Sequence, residues 1–161
     1  MDKSFDKILF LTSFCCMACD GEIAAEEVEL LKTFSDNEHL FDYINLKEEF
    51  DNCLIILKQL GNDFIKSYFQ AIESVKFDEE EKIYILDVGV KTILADNKVE
   101  YSEIKFIRSL FKSLNIDKDV VLQKVPNIED YWLENDLADK EGDFNYFDQL
   151  QVSADNMKIG I

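Results

Sequence analysis

The sequence predicts an all-helical fold built from two helical hairpins that are related by a pseudo-twofold axis. Apolar residues recur at helical spacing through most of the 161 residues. The single Pro and five Gly are too few for a turn-rich β fold. An internal repeat is the third observation, because the segment Ala18–Val28 returns without a gap 76 residues later as Leu94–Ile104. The length suits one domain with a sizeable core.

The first hairpin is expected to hold two helices. Residues Ser4–Cys19 form a helix with apolar residues on most sides, which predicts a central position in the fold. Residues 20–23 form a turn. A second helix over Ala25–Phe34 has one apolar face and an exposed face of charged residues.

Three helices are expected between the two hairpins. Ser35 and Glu38 have the spacing of a capping box, which predicts a short helix holding Leu40 and its neighbours. Longer helices follow over residues 46–60 and 63–76. Each has a boundary residue of the expected type, Gly61 at the end of the first and Asn62 at the start of the second.

The second hairpin begins at another capping box, formed by Asp78 and Glu81. It predicts a helix over residues 79–95, apolar on more than one side like the first helix of the chain. Gly89 lies inside this helix, where Gly costs about 1 kcal/mol, so we expect a close helix contact there. The partner helix spans residues 101–114 and has one apolar face.

The last part of the chain is predicted to lose regular structure. Asp117 can cap a short helix over residues 118–125, which Pro126 ends, and one further turn over 128–133 seats Trp132. From Glu134 onward the chain is polar and acidic. We therefore divide it into a helical domain, residues 1–133, and an acidic C-terminal tail, residues 134–161.

Each copy of the repeat places two acids at the corner between its helices. Asp20 and Asp96 close the first helix of each copy, and Glu27 and Glu103 stand seven residues later, near the start of the next. A residue that tolerates left-handed backbone follows each Asp, which is Gly21 in the first copy and Asn97 in the second. Each copy thus reads as helix, tight turn, helix.

The corner motif resembles that of the TerB-like family, which includes the tellurite-resistance protein TerB and the N-terminal region of the co-chaperone DjlA. The similarity is carried by Asp20-Gly21-Glu22-Ile23 with Glu27, and by the second Asp-containing copy, across about residues 4–125. It implies an all-helical fold of about seven helices, a bacterial cytoplasmic setting, and a link to stress or tellurite resistance. The second copy departs from the family pattern at Asn97 and Lys98.

The resemblance also implies a cation site, because the family's acids have been proposed to bind one. Carried over, its ligands are Asp20, Glu27, Asp96 and Glu103. Carboxylates that meet across a pseudo-twofold repel each other unless a proton or a cation lies between them, and such oxygen ligands favour Ca²⁺, Mg²⁺ or Mn²⁺.

The alternative is structural, and the sequence favours it: each Glu caps its own helix and each Asp binds local amides. An EF-hand is excluded because Lys98 occupies a ligand position of its loop.

Charge restricts the possible partners. There are 34 acidic and 17 basic residues, giving a formal net charge of −17. Such a chain is repelled by phosphate backbones, so nucleic-acid binding is not expected, and it suits a basic protein partner or cations. No apolar run approaches the roughly 20 residues that span a bilayer.

The four cysteines, Cys15, Cys16, Cys19 and Cys53, are expected to be reduced core residues. Three of them share one helix, where disulfide geometry is rare, which favours the cytosol. With His39 as the single histidine, no zinc pattern exists.

No catalytic motif stands out: the chain has no Ser-His-Asp set, phosphate loop or histidine pair. The aromatic residues Phe64, Tyr68 and Phe69 are expected in the core rather than in a groove. We therefore expect a non-enzymatic binding or scaffold module that acts through protein partners. Two alternatives stay open, a divalent-cation-binding protein and an inhibitor or immunity-type protein that masks a basic partner.

Overall fold

The computed structural model describes residues 3–19, 21–95 and 97–134. Seven α-helices and one 3-10 helix occupy this part of the chain. Their bounds are α1 Lys3–Ala18, α2 Ala25–Glu38, α3 Leu46–Leu60, α4 Asn62–Ser74, α5 Glu79–Ile93, α6 Tyr101–Leu114, α7 Lys118–Lys124 and the 3-10 helix Asp130–Leu133. The predicted all-helical fold class is confirmed for the described residues.

The centre of the fold is the antiparallel pair α1 and α5, which make the most extensive contact between any two elements. Ser13 Oγ lies 3.0 Å from Thr92 Oγ1, and Cys16 Sγ lies 3.7 Å from the Gly89 carbonyl oxygen. As position 13 rises to 16 on α1, the partner on α5 falls from 92 to 89, which fixes the antiparallel direction. Every residue of α1 from Thr12 to Ala18 is buried, as its apolar character on most sides predicts.

Gly89 is a point of close approach, as the sequence predicts. A Cβ atom built there would lie 3.1 Å from Ile107 Cδ1 on α6 and 3.6 Å from Cys16 Sγ on α1. Three helices therefore meet where α5 has no side chain. This contact explains why α5 carries a helix-weakening residue in its interior.

Aromatic side chains join the middle helices to the central pair. Phe14 of α1 packs edge-on against Phe50 of α3 and Phe64 of α4, with ring centroids 5.7 and 5.6 Å apart. Tyr68 of α4 is buried and its hydroxyl lies 2.7 Å from Thr12 Oγ1 on α1. Phe64 and Tyr68 are core residues and Phe69 is half-buried against the core, so the core interpretation of these aromatic residues is confirmed.

The segment after α2 corrects the sequence prediction. Ser35 and Glu38 do not open a new helix, because both lie inside α2. The Phe34 carbonyl accepts hydrogen bonds from the amides of His39 and Leu40, the second at 3.0 Å, so the backbone stays helical past Ser35. α2 ends where His39 takes left-handed backbone geometry with a φ of 56°. The predicted short helix is wrong, since residues 40–44 form turns or irregular backbone.

A smaller correction concerns Asn62, which is the first residue of α4 rather than its cap. Gly61 ends α3 and also precedes α4, with a φ of 55° that suits Gly. Because only Gly61 separates the two helices, Asn62 already belongs to α4 and does not occupy the capping position before it. The predicted capping box of Asp78 and Glu81 is confirmed, with side-chain to amide distances of 2.8 and 2.9 Å.

The last two helical segments before the tail follow the prediction. Asp117 caps α7 by accepting from the Asp119 amide at 2.9 Å, and the 3-10 helix seats Trp132, which is 3% exposed. Of the predicted acidic tail over 134–161, only Glu134 is described. The prediction of an irregular tail therefore lies outside the described residues.

Candidate functional site

The two acidic corners share the backbone geometry that the repeat predicts. Gly21 has a φ of 84° and its equivalent Asn97 has a φ of 59°, both left-handed. Each donates its amide to the carbonyl three residues earlier, Gly21 to Ala18 at 2.9 Å and Asn97 to Leu94 at 3.2 Å. Equivalent positions thus make equivalent turns, which supports a duplicated helical hairpin.

The two glutamates of the corners are buried at the starts of α2 and α6, Glu27 at 5% and Glu103 at 2% exposure. Glu27 Oε2 accepts a hydrogen bond from the Ala24 amide at 2.9 Å. Glu103 Oε1 accepts one from the Glu100 amide at 3.0 Å, and Glu100 is the equivalent of Ala24. Each glutamate therefore satisfies an amide that the first helical turn leaves without a partner. The interpretation that each Glu caps its own helix is confirmed.

Both glutamates also act on one buried thiol of α1. Burial raises the pKa of Cys16 well above its ordinary value, and the nearby Cys15, Glu103 and Glu27 raise that pKa further. Both carboxylates are thus within the range over which charges influence this thiol.

The first acid of each corner, Asp20 and Asp96, lies outside the described residues. Within residues 3–19, 21–95 and 97–134, no group of three or more His, Cys, Asp and Glu side chains could hold a metal ion. The predicted cation site, which needs Asp20, Glu27, Asp96 and Glu103 together, is therefore untested and remains a hypothesis.

The cysteines behave as the core residues that the sequence predicts. All four are free thiols and all four are buried. Burial raises the pKa of Cys15 well above its ordinary value and that of Cys53 to about 11. Thiols in this environment are poor nucleophiles and poor metal ligands, because both roles require the thiolate.

A pocket of about 490 Å³ opens beside the second corner. One wall comes from the corner itself, where the lining residues are Leu94, Asn97 and Val99. The other wall comes from the segment after α7, where they are Asn127, Glu129, Tyr131 and Trp132. Tyr131 is 57% exposed, whereas Trp132 is buried and its indole Nε1 has no hydrogen-bond partner among the residues that the structure describes. This pocket was not predicted from the sequence.

Arg108 binds the 3-10 helix that forms part of the pocket wall. Its Nε donates to the Trp132 carbonyl at 2.9 Å, and its Nη2 donates to the Tyr131 carbonyl at 3.2 Å. The side chain is buried on α6, so a charged group holds the 3-10 helix against the domain. A sequence signal exists for this residue, since the only arginine of the chain falls on the apolar stripe of α6 between Ile104 and Phe111.

No family model, curated protein or solved structure matches this chain in the three comparisons that we made. The resemblance to the TerB-like family therefore stays a prediction, based on the two corner motifs. Among the helices that the structure describes, none has both the length and the apolar character to cross a bilayer.

Proposed function

We propose that this protein is a non-enzymatic binding module whose acidic surface recognises a basic protein partner. One observation carries the proposal. In the described part of the chain, the buried acids are Asp6, Glu27 and Glu103, and each accepts a hydrogen bond from a backbone amide. Asp6 Oδ2, for example, accepts from the Tyr43 amide at 3.0 Å. The buried acids thus stabilise the fold by binding backbone amides, and the other described acids lie at or near the surface.

The surface acids suit recognition of a cationic surface better than acid–base chemistry. A general acid or base usually combines a buried carboxylate with a perturbed environment and a cleft. Here the described acids other than Asp6, Glu27 and Glu103 lie at or near the surface of a chain with a formal net charge of −17, and such a charge steers a basic partner and repels nucleic acid. Exposed apolar residues lie on α3, at Ile55, Ile56 and Leu60. They provide contact area that charge alone lacks.

The setting that we propose is the bacterial cytoplasm, in a stress response of the kind that includes tellurite resistance. Support for this setting comes from the resemblance of the corner motifs to the TerB-like family. The four buried thiols agree with a reducing compartment, because free cysteines persist there.

The test is affinity capture with the full-length chain, followed by reconstitution with the purified partner. The Debye screening length falls from about 10 Å at 0.1 M salt to about 3 Å at 1 M, so a charge-dependent complex should weaken steeply over this range. We expect a partner with excess positive charge and a dissociation constant that rises with salt. Capture only of neutral or acidic partners, with no salt dependence, would contradict the proposal.

A second candidate function, binding of a divalent cation, is supported by the repeated acidic corner, in which Glu27 and Glu103 are buried at equivalent positions. A cation between the corners would relieve the repulsion of these carboxylates, and oxygen ligands would select Ca²⁺, Mg²⁺ or Mn²⁺. Asp20 and Asp96 would complete the ligand set. In this candidate the two glutamates are ligands in addition to their capping role.

Thermal unfolding with and without each cation tests this candidate. A wild-type midpoint that rises with Ca²⁺, Mg²⁺ or Mn²⁺, and that loses this rise in Asp20→Asn/Asp96→Asn, supports a cation site. A wild-type midpoint that none of the three cations changes removes it. Glu27→Gln/Glu103→Gln is the matched variant, because Gln keeps an oxygen for the capping hydrogen bond and removes the charge.

A further inference from the structure

Positive charge is concentrated in one stretch of this acidic chain. Residues 101–124, which contain α6 and α7, carry five basic and three acidic residues, whereas residues 1–100 carry ten basic and 22 acidic ones. Glu103 is the only acid of α6 and is buried at 2% exposure, so none of the residues exposed on this helix carries a carboxylate. By contrast, Glu26 and Glu29 are exposed on α2. The outside of α6 is therefore the place where this surface suits an anionic ligand.

The cationic residues of α6 form one stripe beside Arg108. Because an α-helix turns by about 100° per residue, Tyr101, Lys105 and Lys112 lie within about 60° of Arg108 around the helix axis. Tyr101 is 46% exposed, Lys112 is exposed, and Lys105 is half-buried with its Nζ 5.9 Å from the centroid of the Tyr101 ring. We call these three residues the α6 stripe. It offers two cations and an aromatic ring over a length of about 16 Å.

The described chain ends next to this stripe. Arg108 Nε and Nη2 donate to the carbonyls of Trp132 and Tyr131, so the 3-10 helix lies against the side of α6 that carries the stripe. Glu134, the last residue that the structure describes, follows Trp132 by two residues. An extended chain advances about 3.3 Å per residue, so the ten residues from Glu134 to Phe144 can reach up to about 33 Å. The acidic tail is therefore long enough to reach every residue of the stripe.

The tail also has a composition that complements the stripe. Residues 135–148 contain five acids and one lysine, and their aromatic residues are Phe144, Tyr146 and Phe147. The acids match the charge of the two lysines, and an aromatic ring can pack against Tyr101. A short tether gives a ligand an effective concentration of about millimolar, so contacts that are weak individually suffice to hold the tail.

We propose that residues 135–148 dock on the α6 stripe of their own chain, with carboxylates at Lys105 and Lys112 and an aromatic ring against Tyr101. Charge complementarity, the position of Glu134 and the reach of the tail argue for this occupant. The docked tail shields the cationic surface from other anions, so an acidic ligand of α6 has to displace it. This inference does not rest on the proposed function, because it concerns a contact within one chain.

Paramagnetic relaxation measures where the tail lies. A nitroxide is attached to Gln149→Cys in the full-length ¹⁵N-labelled chain, where the four native cysteines are buried and should stay unlabelled. We expect the amide resonances of Lys105, Ser109 and Lys112 to broaden more than that of Glu29, which is exposed on α2. Salt at 1 M should reduce this difference, because the Debye length falls to about 3 Å.

Two matched double variants test the role of the lysines. Lys105→Gln/Lys112→Gln removes two charges from the stripe and should lower the docking equilibrium constant, obtained from the broadening at Ser109, about fivefold. The control Lys32→Gln/Lys47→Gln removes the same charge from α2 and α3 and should leave the broadening unchanged. Circular dichroism shows that each variant is folded.

Three results would overturn the inference. The amides of the stripe and of Glu29 broaden equally, or the stripe broadens in Lys105→Gln/Lys112→Gln as it does in wild type. Alternatively, the stripe of ¹⁵N-labelled chains without nitroxide broadens when spin-labelled ¹⁴N chains are added, which means that the tail of a second copy occupies it. None of these results bears on whether the protein binds a basic partner, so the proposed function is tested separately.

Discussion

Ser13 Oγ on α1 lies 3.0 Å from Thr92 Oγ1 on α5, and the repeat relates this contact to a second one. Position 13 corresponds to Gly89 and position 92 corresponds to Cys16, and Cys16 Sγ lies 3.7 Å from the Gly89 carbonyl oxygen. The two contacts exchange when the two halves of the chain are exchanged. This is what a pseudo-twofold axis through the α1–α5 interface requires.

We predict that Ser13 and Thr92 are energetically coupled. Thr92 Oγ1 donates to the Val88 carbonyl at 2.8 Å, so the Ser13 hydroxyl is the donor between them. Ser13→Ala should lower the free energy of unfolding by about 1 kcal/mol. Thr92→Val should lower it by more, because it leaves a buried donor, and the double variant should cost less than the sum. Urea unfolding of the four proteins measures this coupling, and simple additivity would contradict it.

The close packing around Gly89 predicts that stability depends strongly on the size of the side chain at this position. Gly89→Ala gains about 1 kcal/mol of helix propensity, but its Cβ meets Ile107 Cδ1 at 3.1 Å, so we expect a net change within about 1 kcal/mol. Gly89→Leu should destabilise by at least about 3 kcal/mol, because it forces α1, α5 and α6 apart. Thermal and urea unfolding check this. A stable Gly89→Leu protein would mean that the three helices do not meet there.

Because Glu27 and Glu103 cap α2 and α6 in the same way, we predict that removing either side chain lowers stability by the same amount. Glu27→Ala and Glu103→Ala should each lower the free energy of unfolding by about 1 kcal/mol, because each removes the acceptor for a backbone amide. Glutamine at either position should cost less, since it keeps an oxygen. Asp51→Ala, at an exposed position of α3, is the control and should change stability by under about 0.5 kcal/mol. Equal losses from glutamine and alanine would show that charge, not capping, is what matters.

Alkaline pH should destabilise the fold through its buried thiols. Burial raises the pKa of Cys53 from an ordinary value of 9.0 to about 11, so the folded chain holds this proton more tightly than the unfolded chain does. The resulting stability is fully present below pH 9 and is lost as the pH rises through about 11. Each such group can contribute a slope of about 1.4 kcal/mol per pH unit. Burial also raises the pKa of Tyr68, so its titration acts in the same direction.

Urea unfolding between pH 8 and pH 11 measures this slope, and comparison of wild type with Cys53→Ala separates it from the lysines, which ordinarily lose their charge at about pH 10.4. Cys53→Ala should give a shallower loss than wild type, because one of the titrating thiols is gone. A stability that stays level or rises over this range would contradict burial of the thiols.

Arg108 should control the position of Trp132. Arg108→Met removes both hydrogen bonds to the 3-10 helix, so we expect a loss of about 3 kcal/mol and a red shift of the tryptophan emission. Arg108→Lys retains one cation but not the two-pronged geometry, and should give an intermediate result. An unchanged emission in Arg108→Met would mean that Trp132 is held without this residue.

Most of the helices could be predicted from the sequence because their signals are local. The bounds of α3 and α6 agree with the predicted ranges, and the capping box of Asp78 and Glu81 starts α5 as expected. The prediction failed after α2, where Ser35 and Glu38 match a capping pattern that the backbone does not use. A capping pattern states a preference, and burial of Phe34 and the turn at His39 decided the helix end instead.

The sequence by itself determined the fold class, the duplicated hairpin and the left-handed residues at Gly21 and Asn97, because each depends on spacing within a short segment. Only the tertiary structure decided that Glu27 and Glu103 are buried, and that Arg108 holds the carbonyls of a segment more than 20 residues away. The pocket at Trp132 also could not be predicted from the sequence. These features depend on which surfaces meet when helices pack, and periodicity shows that a face is apolar without showing what covers it.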